Sequence, residues 1–146
     1  MIGLLQRVGS ASVTVEGGII GAIDRGILVF VGVQRGDGEA QAERLAERIL
    51  AYRVFPDEQG RMNRSVADIG GCVLLVPQFT LAADTSRGTR ASFSSAAAPD
   101  EGRRLFDRMV HEVRSRHAMV ATGAFGADMH VALVNEGPVT FWLQAD

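Results

Sequence analysis

The first third of the chain carries its apolar residues in short, β-branched runs punctuated by glycine. Leu4 to Val8 and Val13 to Val15 read as strand-like pieces, and Glu16-Gly17-Gly18-Ile19-Ile20 reads as a hairpin turning on its glycine pair. Gly26 to Val33 is continuously apolar with glycine near both ends, a length and branching that predict a buried central strand. Gln34 to Gly38 is a polar loop. From Glu39 the period lengthens: Ala42, Leu45, Ala46, Ile49 and Leu50 share one helical face, while Glu43, Arg44, Glu47 and Arg48 fall elsewhere. This predicts an amphipathic helix ending near Val54, before Pro56, with its charges on a solvated surface.

Pro56 to Gly60 is a turn, and Gly70-Gly71 introduces a second buried strand, Cys72 to Val76. Pro77-Gln78-Phe79-Thr80-Leu81 ends that strand, and the small, polar segment Ala82 to Ala98 is long for a connection, as functional loops after buried strands often are. A second helix begins at Pro99, with Asp100 and Glu101 in its first turn, where the helix dipole favours carboxylates. Its core face is Leu105, Phe106, Met109, Val110 and Val113, and Arg114, Arg116 and His117 suit its last turn. Val120 to Thr122, Met129 to Val134 and Val139 to Leu143 close the chain as strands. The pattern predicts one α/β domain over residues 1–146: about eight strands, mostly antiparallel, carrying two main amphipathic helices.

Composition adds limits. With 47% hydrophobic and 22% charged residues, 146 residues can bury a core without disulfides or metals. The single cysteine, Cys72, lies in an apolar run and forms no intrachain framework, so a reducing cytoplasm is the expected compartment. Neither a leader pattern nor an apolar run long enough for a membrane is present, so secretion and membrane insertion are not expected. A net charge of −2 gives no global attraction to nucleic acid, which leaves local basic patches.

Candidate side-chain chemistry is sparse. His111 and His117 are six apart on a helix and point to different faces, and His130 sits in a strand between Met129 and Val131. No metal site, cofactor motif or nucleophile elbow is recognisable. Thr80 has no histidine, lysine or carboxylate within three residues, so it reads as a β-branched residue closing a strand rather than a nucleophile. Main-chain groups are the better candidates, since the amides of Phe79 and Thr80 lose ladder partners where the strand turns. The segment Asp84 to Phe93 brings Arg87, Arg90 and several hydroxyls close to Thr80, as either a phosphate-holding patch or a solvated loop. In Asn135-Glu136-Gly137-Pro138-Val139-Thr140, glycine and proline interrupt a strand pattern; proline gives no N–H to a ladder. Local sequence favours a hairpin turn there, and the Gly-Pro bond is a candidate for the cis form.

Over essentially its whole length the chain resembles the bacterial D-aminoacyl-tRNA deacylases. The resemblance is carried by Gln6-Arg7-Val8 with Ala11 to Val15, by Gln78 to Thr85, by Phe125-Gly126-Ala127-Asp128-Met129 and by Asn135 to Gln144. It implies a barrel-like pair of sheets and a cytoplasmic homodimer without metal or cofactor. The reaction it implies is hydrolysis of the ester joining a D-amino acid, or glycine mischarged on alanine tRNA, to the 3′-terminal adenosine of tRNA. DNA is not an implied partner. The carbonyls of Gly137 and a cis-Pro138 would enter the partner subunit's pocket, accept from the substrate's amino group and leave no room for an L side chain. Arg7 would fix that loop, the Phe79 and Thr80 amides would hold the substrate carbonyl, and Gln78 and Met129 would contact substrate. The 2′-hydroxyl of the terminal ribose would assist the attack. Where the family usually has serine this chain has Pro77, so no hydroxyl at that position can be required, and the ring is expected to stiffen the approach to Gln78. Two rival functions fit the same residues: a non-catalytic nucleic-acid-binding module using Arg87 and Arg90, and an editing enzyme of this fold with relaxed chirality.

Overall fold

The computed structural model describes all residues 1–146. In chain order the elements are β1 (Ile2–Val15), β2 (Gly18–Ile23), β3 (Gly26–Gly32), α1 (Glu39–Ala51), β4 (Phe55–Pro56), β5 (Met62–Arg64) and α2 (Val66–Ile69). There follow β6 (Cys72–Pro77), a 3₁₀ turn (Phe79–Ala82), α3 (Pro99–Arg116), β7 (Val120–Thr122) and β8 (His130–Gln144). Six strands form one sheet in the order β2-β1-β3-β6-β7, with β8 also pairing β1; β4 and β5 make a separate ribbon. β1 is antiparallel to β2, β3 and β8, whereas β3-β6 and β6-β7 are parallel. The parallel pairs are those whose crossovers contain α1 and α3, the only connections long enough to return a strand in the same direction.

The sheet curls until β2 lies against β7, nearly closing a barrel. Gly21 permits that approach, since a Cβ there would stand 2.9 Å from the Thr122 carbonyl oxygen. The uninterrupted apolar run of β3 then has a physical reason. Ile27, Val29 and Val31 join the core beneath α1 and α3, while Leu28 joins Val8, Val13, Leu74 and Val76 inside the barrel. β6 divides in the same way, Val73 and Leu75 outward and Leu74 and Val76 inward. A strand covered on both faces needs no polar alternation.

Several elements depart from the sequence reading. The first two strand pieces are one long strand, β1, because the polar stretch between them is held by β8 along its length. Helix α1 stops at Ala51 rather than near Val54; Tyr52 turns extended (φ −68°, ψ 125°), and Phe55 pairs with Arg64. The short helix α2 is set by a reciprocal cap in which Ser65 Oγ accepts from the Asp68 amide at 3.1 Å and Asp68 accepts from the Ser65 amide at 2.8 Å. The charges of α1 are not merely solvated: Glu43 meets Arg108 at 2.5 Å and Glu47 meets Arg116 at 3.0 Å across to α3. The last two predicted strands are the single strand β8, and no hairpin separates them, since both halves run antiparallel to β1.

Candidate active site

A cavity of about 430 Å³ opens at the carboxyl ends of β3 and β6, where parallel strands leave unpaired main chain and where α/β sheets take ligands. Its wall includes Val31, Val76, Gln78, Phe79, Phe125 and Met129, and the first turn of α3 closes one side. Pro77 is buried at the end of β6, and the Gln78 amide donates to the Val31 carbonyl at 2.8 Å, the last bond before the chain turns. The next recorded bond is from the Leu81 amide to the Gln78 carbonyl at 3.2 Å. Phe79 and Thr80 begin the 3₁₀ turn between these bonds, and their amides find no main-chain acceptor, as at the start of any helix. Both residues are exposed at the cavity's edge.

The Thr80 hydroxyl accepts from Gln78 Nε2 at 2.5 Å, and no carboxylate, histidine or lysine contacts it. Phe79, 56% exposed, packs on Phe93 with ring centres 5.1 Å apart. Phe93 thus packs. The loop carrying Arg87 and Arg90 is pinned at its base by paired bonds between Asp84 and Ser92, at 2.8 and 3.0 Å. Within it, Ser86 bonds to Asp84 and holds that carboxyl below the ordinary range. Met129 lines the cavity, and its Sδ accepts from the Ala124 amide at 3.4 Å. The histidines lie elsewhere: His117 Nε2 is 2.6 Å from the Gly71 carbonyl, and His130 opens β8 opposite Thr14. No group of three or more His, Cys, Asp or Glu converges.

A second set of residues is held apart from that cavity. Between the pairs Gln6↔Thr140 and Val8↔Asn135, β1 has one intervening residue and β8 has Glu136 to Val139. The surplus bulges outward, as extra residues in one strand of a pair must. Gly137 has φ 143°, and a Cβ there would lie 2.7 Å from Val139 Cγ2, so only glycine suits it; the Gly137–Pro138 bond is cis. Both residues are exposed. Arg7 grips the base of the excursion, Nε to the Glu136 carbonyl at 3.0 Å and Nη1 to the Val54 carbonyl at 2.7 Å. Asn135 ties its two ends, and Arg25 lies 3.7 Å from Glu136. The sequence reading assigned no role to Asn135 or Arg25, although an asparagine inside a β-branched strand is itself a signal of side-chain bonding to the backbone. Gln78, Phe79 and Met129 therefore share one cavity with Thr80 beside it, while Arg7, Gly137 and Pro138 form a separate group that does not line it.

Two solved structures share this architecture. One, described as the c-Myc DNA unwinding element binding protein, superposes with a TM-score of 0.96 at 36% identity, covering 100% of this chain and 99% of that one. The other, described as a probable eukaryotic D-amino acid tRNA deacylase, reaches 0.81 at 18% identity over 97% of each chain, a likeness of fold alone. The fold class is thus the nearly closed α/β barrel found among tRNA deacylases. The profile of the family described as D-Tyr-tRNA(Tyr) deacylase matches residues 4–144. The D-aminoacyl-tRNA deacylase of Thioalkalivibrio sulfidiphilus is 65% identical over 144 residues, covering 99% of this chain and 97% of that protein. That of Alkalilimnicola ehrlichii is 61% identical over 145 residues with the same coverage. The chain belongs to the D-aminoacyl-tRNA deacylase family, whose members are hydrolases.

Proposed function

We propose that the protein cleaves the ester of D-aminoacyl-tRNA with main-chain groups from two copies of the chain, and that chirality is read by exclusion. The terminal adenosine occupies the cavity, whose aromatic and aliphatic wall suits a base. The free amides of Phe79 and Thr80 receive the ester carbonyl and stabilise the oxyanion that develops on it. With no side-chain base at hand, the ribose 2′-hydroxyl assists the attacking water, and free D-amino acid and tRNA leave. One observation carries this reading: two unpartnered amides stand at the edge of a base-sized cavity beside a hydroxyl already engaged by a carboxamide.

Gly137 and Pro138 are exposed outside their own cavity, which supports their insertion into that of a second copy. β8 pairs on one edge only and exposes Val134 and Trp142 at 60% and 53%, surface that a second copy would cover. There the two carbonyls accept from the substrate ammonium, and the space left admits hydrogen or a D side chain but not an L one. Glycine passes the same filter, so glycyl-tRNA mischarged on alanine tRNA is a substrate. The protein acts in the cytoplasm, without membrane, metal or cofactor.

The test is hydrolysis of D-tyrosyl-tRNA, L-tyrosyl-tRNA and glycyl-tRNA, with a D-tyrosyl-tRNA ending in 2′-deoxyadenosine as the fourth substrate. Release from the D and glycyl esters, sparing of the L ester and slowing of the deoxy ester are expected; equal D and L release would overturn the filter. Sedimentation should give twice 15.6 kDa, and a fully active monomer would overturn the shared site. The similar solved structure described as a DNA-unwinding-element binder favours one rival, a non-catalytic nucleic-acid module. Tight binding of single-stranded DNA by a preparation inert on D-tyrosyl-tRNA would establish that rival instead.

A further inference from the structure

Helix α3 carries five arginines, of which Arg104, Arg108 and Arg116 are ion-paired while Arg103 and Arg114 are not. Arg104 pairs with Glu101 at 2.7 Å and Glu39 at 3.0 Å, Arg108 with Glu43 at 2.5 Å, and Arg116 with Glu112 at 2.8 Å and Glu47 at 3.0 Å. Arg103 has no carboxylate within ion-pair distance, although Asp107 lies one turn along the same helix and Asp100 and Glu101 precede it. Its one hydrogen bond is long, 3.4 Å from Nη2 to the Phe125 carbonyl, and its guanidinium carbon stands 5.0 Å from the centre of the Phe125 ring. That ring is part of the cavity wall, and Gly102, the residue before Arg103, is another part. An exposed guanidinium is thereby stacked at the rim with most of its donors unused.

We propose that Arg103 binds the phosphodiester on the 5′ side of the nucleoside held in the cavity, so that its ligand is the RNA backbone next to the terminal residue. The inference rests on the reading that the cavity takes the terminal adenosine. A base against the Phe125 wall leaves its 5′-phosphate near the mouth, and a guanidinium fork matches two phosphate oxygens where a neutral donor would match one. Such a contact positions the strand without reading its sequence, as suits an enzyme that must accept many tRNAs. Arg87 and Arg90 are less suited, because Arg103 stacks on a wall residue of the cavity and follows another in sequence, whereas they sit out on a loop pinned at Asp84 and Ser92.

The test uses the full-length protein with adenosine and adenosine 5′-monophosphate as competitive inhibitors of D-tyrosyl-tRNA hydrolysis. The monophosphate should inhibit the unmodified protein about tenfold more tightly than adenosine, the worth of one charge-assisted bond at an exposed site. Arg103→Gln should abolish that preference, Arg103→Lys should restore part of it, and Arg104→Gln should leave it intact. Arg103→Gln should also raise KM for D-tyrosyl-tRNA with kcat unchanged, and reduce the slope of log KM against log salt by about 0.7. Equal inhibition by adenosine and its 5′-monophosphate, or a preference that survives Arg103→Gln, would overturn the contact while leaving the cavity reading intact. Inhibition by neither would overturn the cavity reading and the contact with it.

Discussion

The side chain of Asn135 is bonded on both sides to the main chain of Val139, accepting from its N–H at 2.7 Å and donating to its carbonyl at 3.2 Å. One planar amide thus does what a neighbouring strand would have done, closing the neck of the excursion that presents Gly137 and Pro138. The same Nδ2 lies 3.0 Å from Thr140 Oγ1, which also accepts from Gln6 Nε2 at 3.3 Å, so the clamp is tied back to β1. The length and exit angle of the excursion are therefore fixed by side chains outside it.

Asn135→Ala removes both bonds and should lower kcat/KM for D-tyrosyl-tRNA about a hundredfold, the scale of a roughly 1 Å misplacement of a positioning group. Inhibition by adenosine, which on the proposed reading depends on the cavity, should not change. The cost in stability should be about 1–2 kcal/mol, seen as a lower urea midpoint. Asn135→Asp keeps the acceptor and loses the donor, and should fall between. Undiminished turnover by Asn135→Ala would show that the excursion holds its shape without the clamp.

Arg7 reaches two carbonyls in distant parts of the chain, those of Glu136 in β8 and of Val54 between α1 and β4. A lysine offers one compact charge and cannot span both, whereas the guanidinium fork does. Arg7→Ala should cost about 1–3 kcal/mol of stability, as for hydrogen bonds from a charged group, and should depress deacylation alongside it. Arg7→Lys should recover most of the stability and less of the activity. Recovery of both by lysine would show that charge near the loop suffices and that its geometry is not set by Arg7.

What the sequence made legible follows from what each residue can signal alone. The apolar periods of α1 and α3 and the buried runs of β3 and β6 announce themselves because burial is written into side-chain identity. The free amides of Phe79 and Thr80 were inferable from where a strand ends, since main-chain donors without a ladder are exposed there. The continuity of β8 was not, because Gly137-Pro138 interrupts the local pattern while β1, more than a hundred residues away in sequence, supplies the pairing on both sides. Arg103 was illegible for a similar reason: it is told apart from Arg104 only by which side of α3 faces the glutamates of α1.

The carboxylates of α3 should contribute to the acid limb of stability. Hydrogen bonds from Arg116 hold the Glu112 carboxyl below its ordinary value, and those from Arg104 do the same for Glu101. A carboxylate whose folded value is depressed contributes its stability above its unfolded value, about 4.3, and loses it as pH falls through the folded one. Tm should therefore be level across pH 6–8 from these groups and fall below about pH 4.5. Glu112→Gln should lower Tm at pH 7 and make the fall shallower, and 0.5 M salt should narrow the gap because these pairs run along α3 close to solvent. Parallel curves for variant and parent would show that the pairs are ornamental to stability.

Thr80 separates a main-chain site from a side-chain one. Its hydroxyl accepts from Gln78 Nε2 at 2.5 Å and meets no group able to take its proton, so nothing raises its nucleophilicity. Its amide, by contrast, has no main-chain acceptor and directly follows Phe79, which lines the cavity. Thr80→Ala keeps the amide and removes the hydroxyl, and kcat for D-tyrosyl-tRNA should stay within about tenfold of the parent, the modest loss reflecting a freed Gln78 carboxamide. Removing a true nucleophile costs about a millionfold, so the two outcomes cannot be confused. On the proposed attack by water with assistance from the ribose 2′-hydroxyl, a single-turnover assay should likewise reveal no covalent aminoacyl-protein species. A collapse of kcat in Thr80→Ala, or a trapped aminoacyl-Thr80, would transfer the chemistry from the backbone to the side chain.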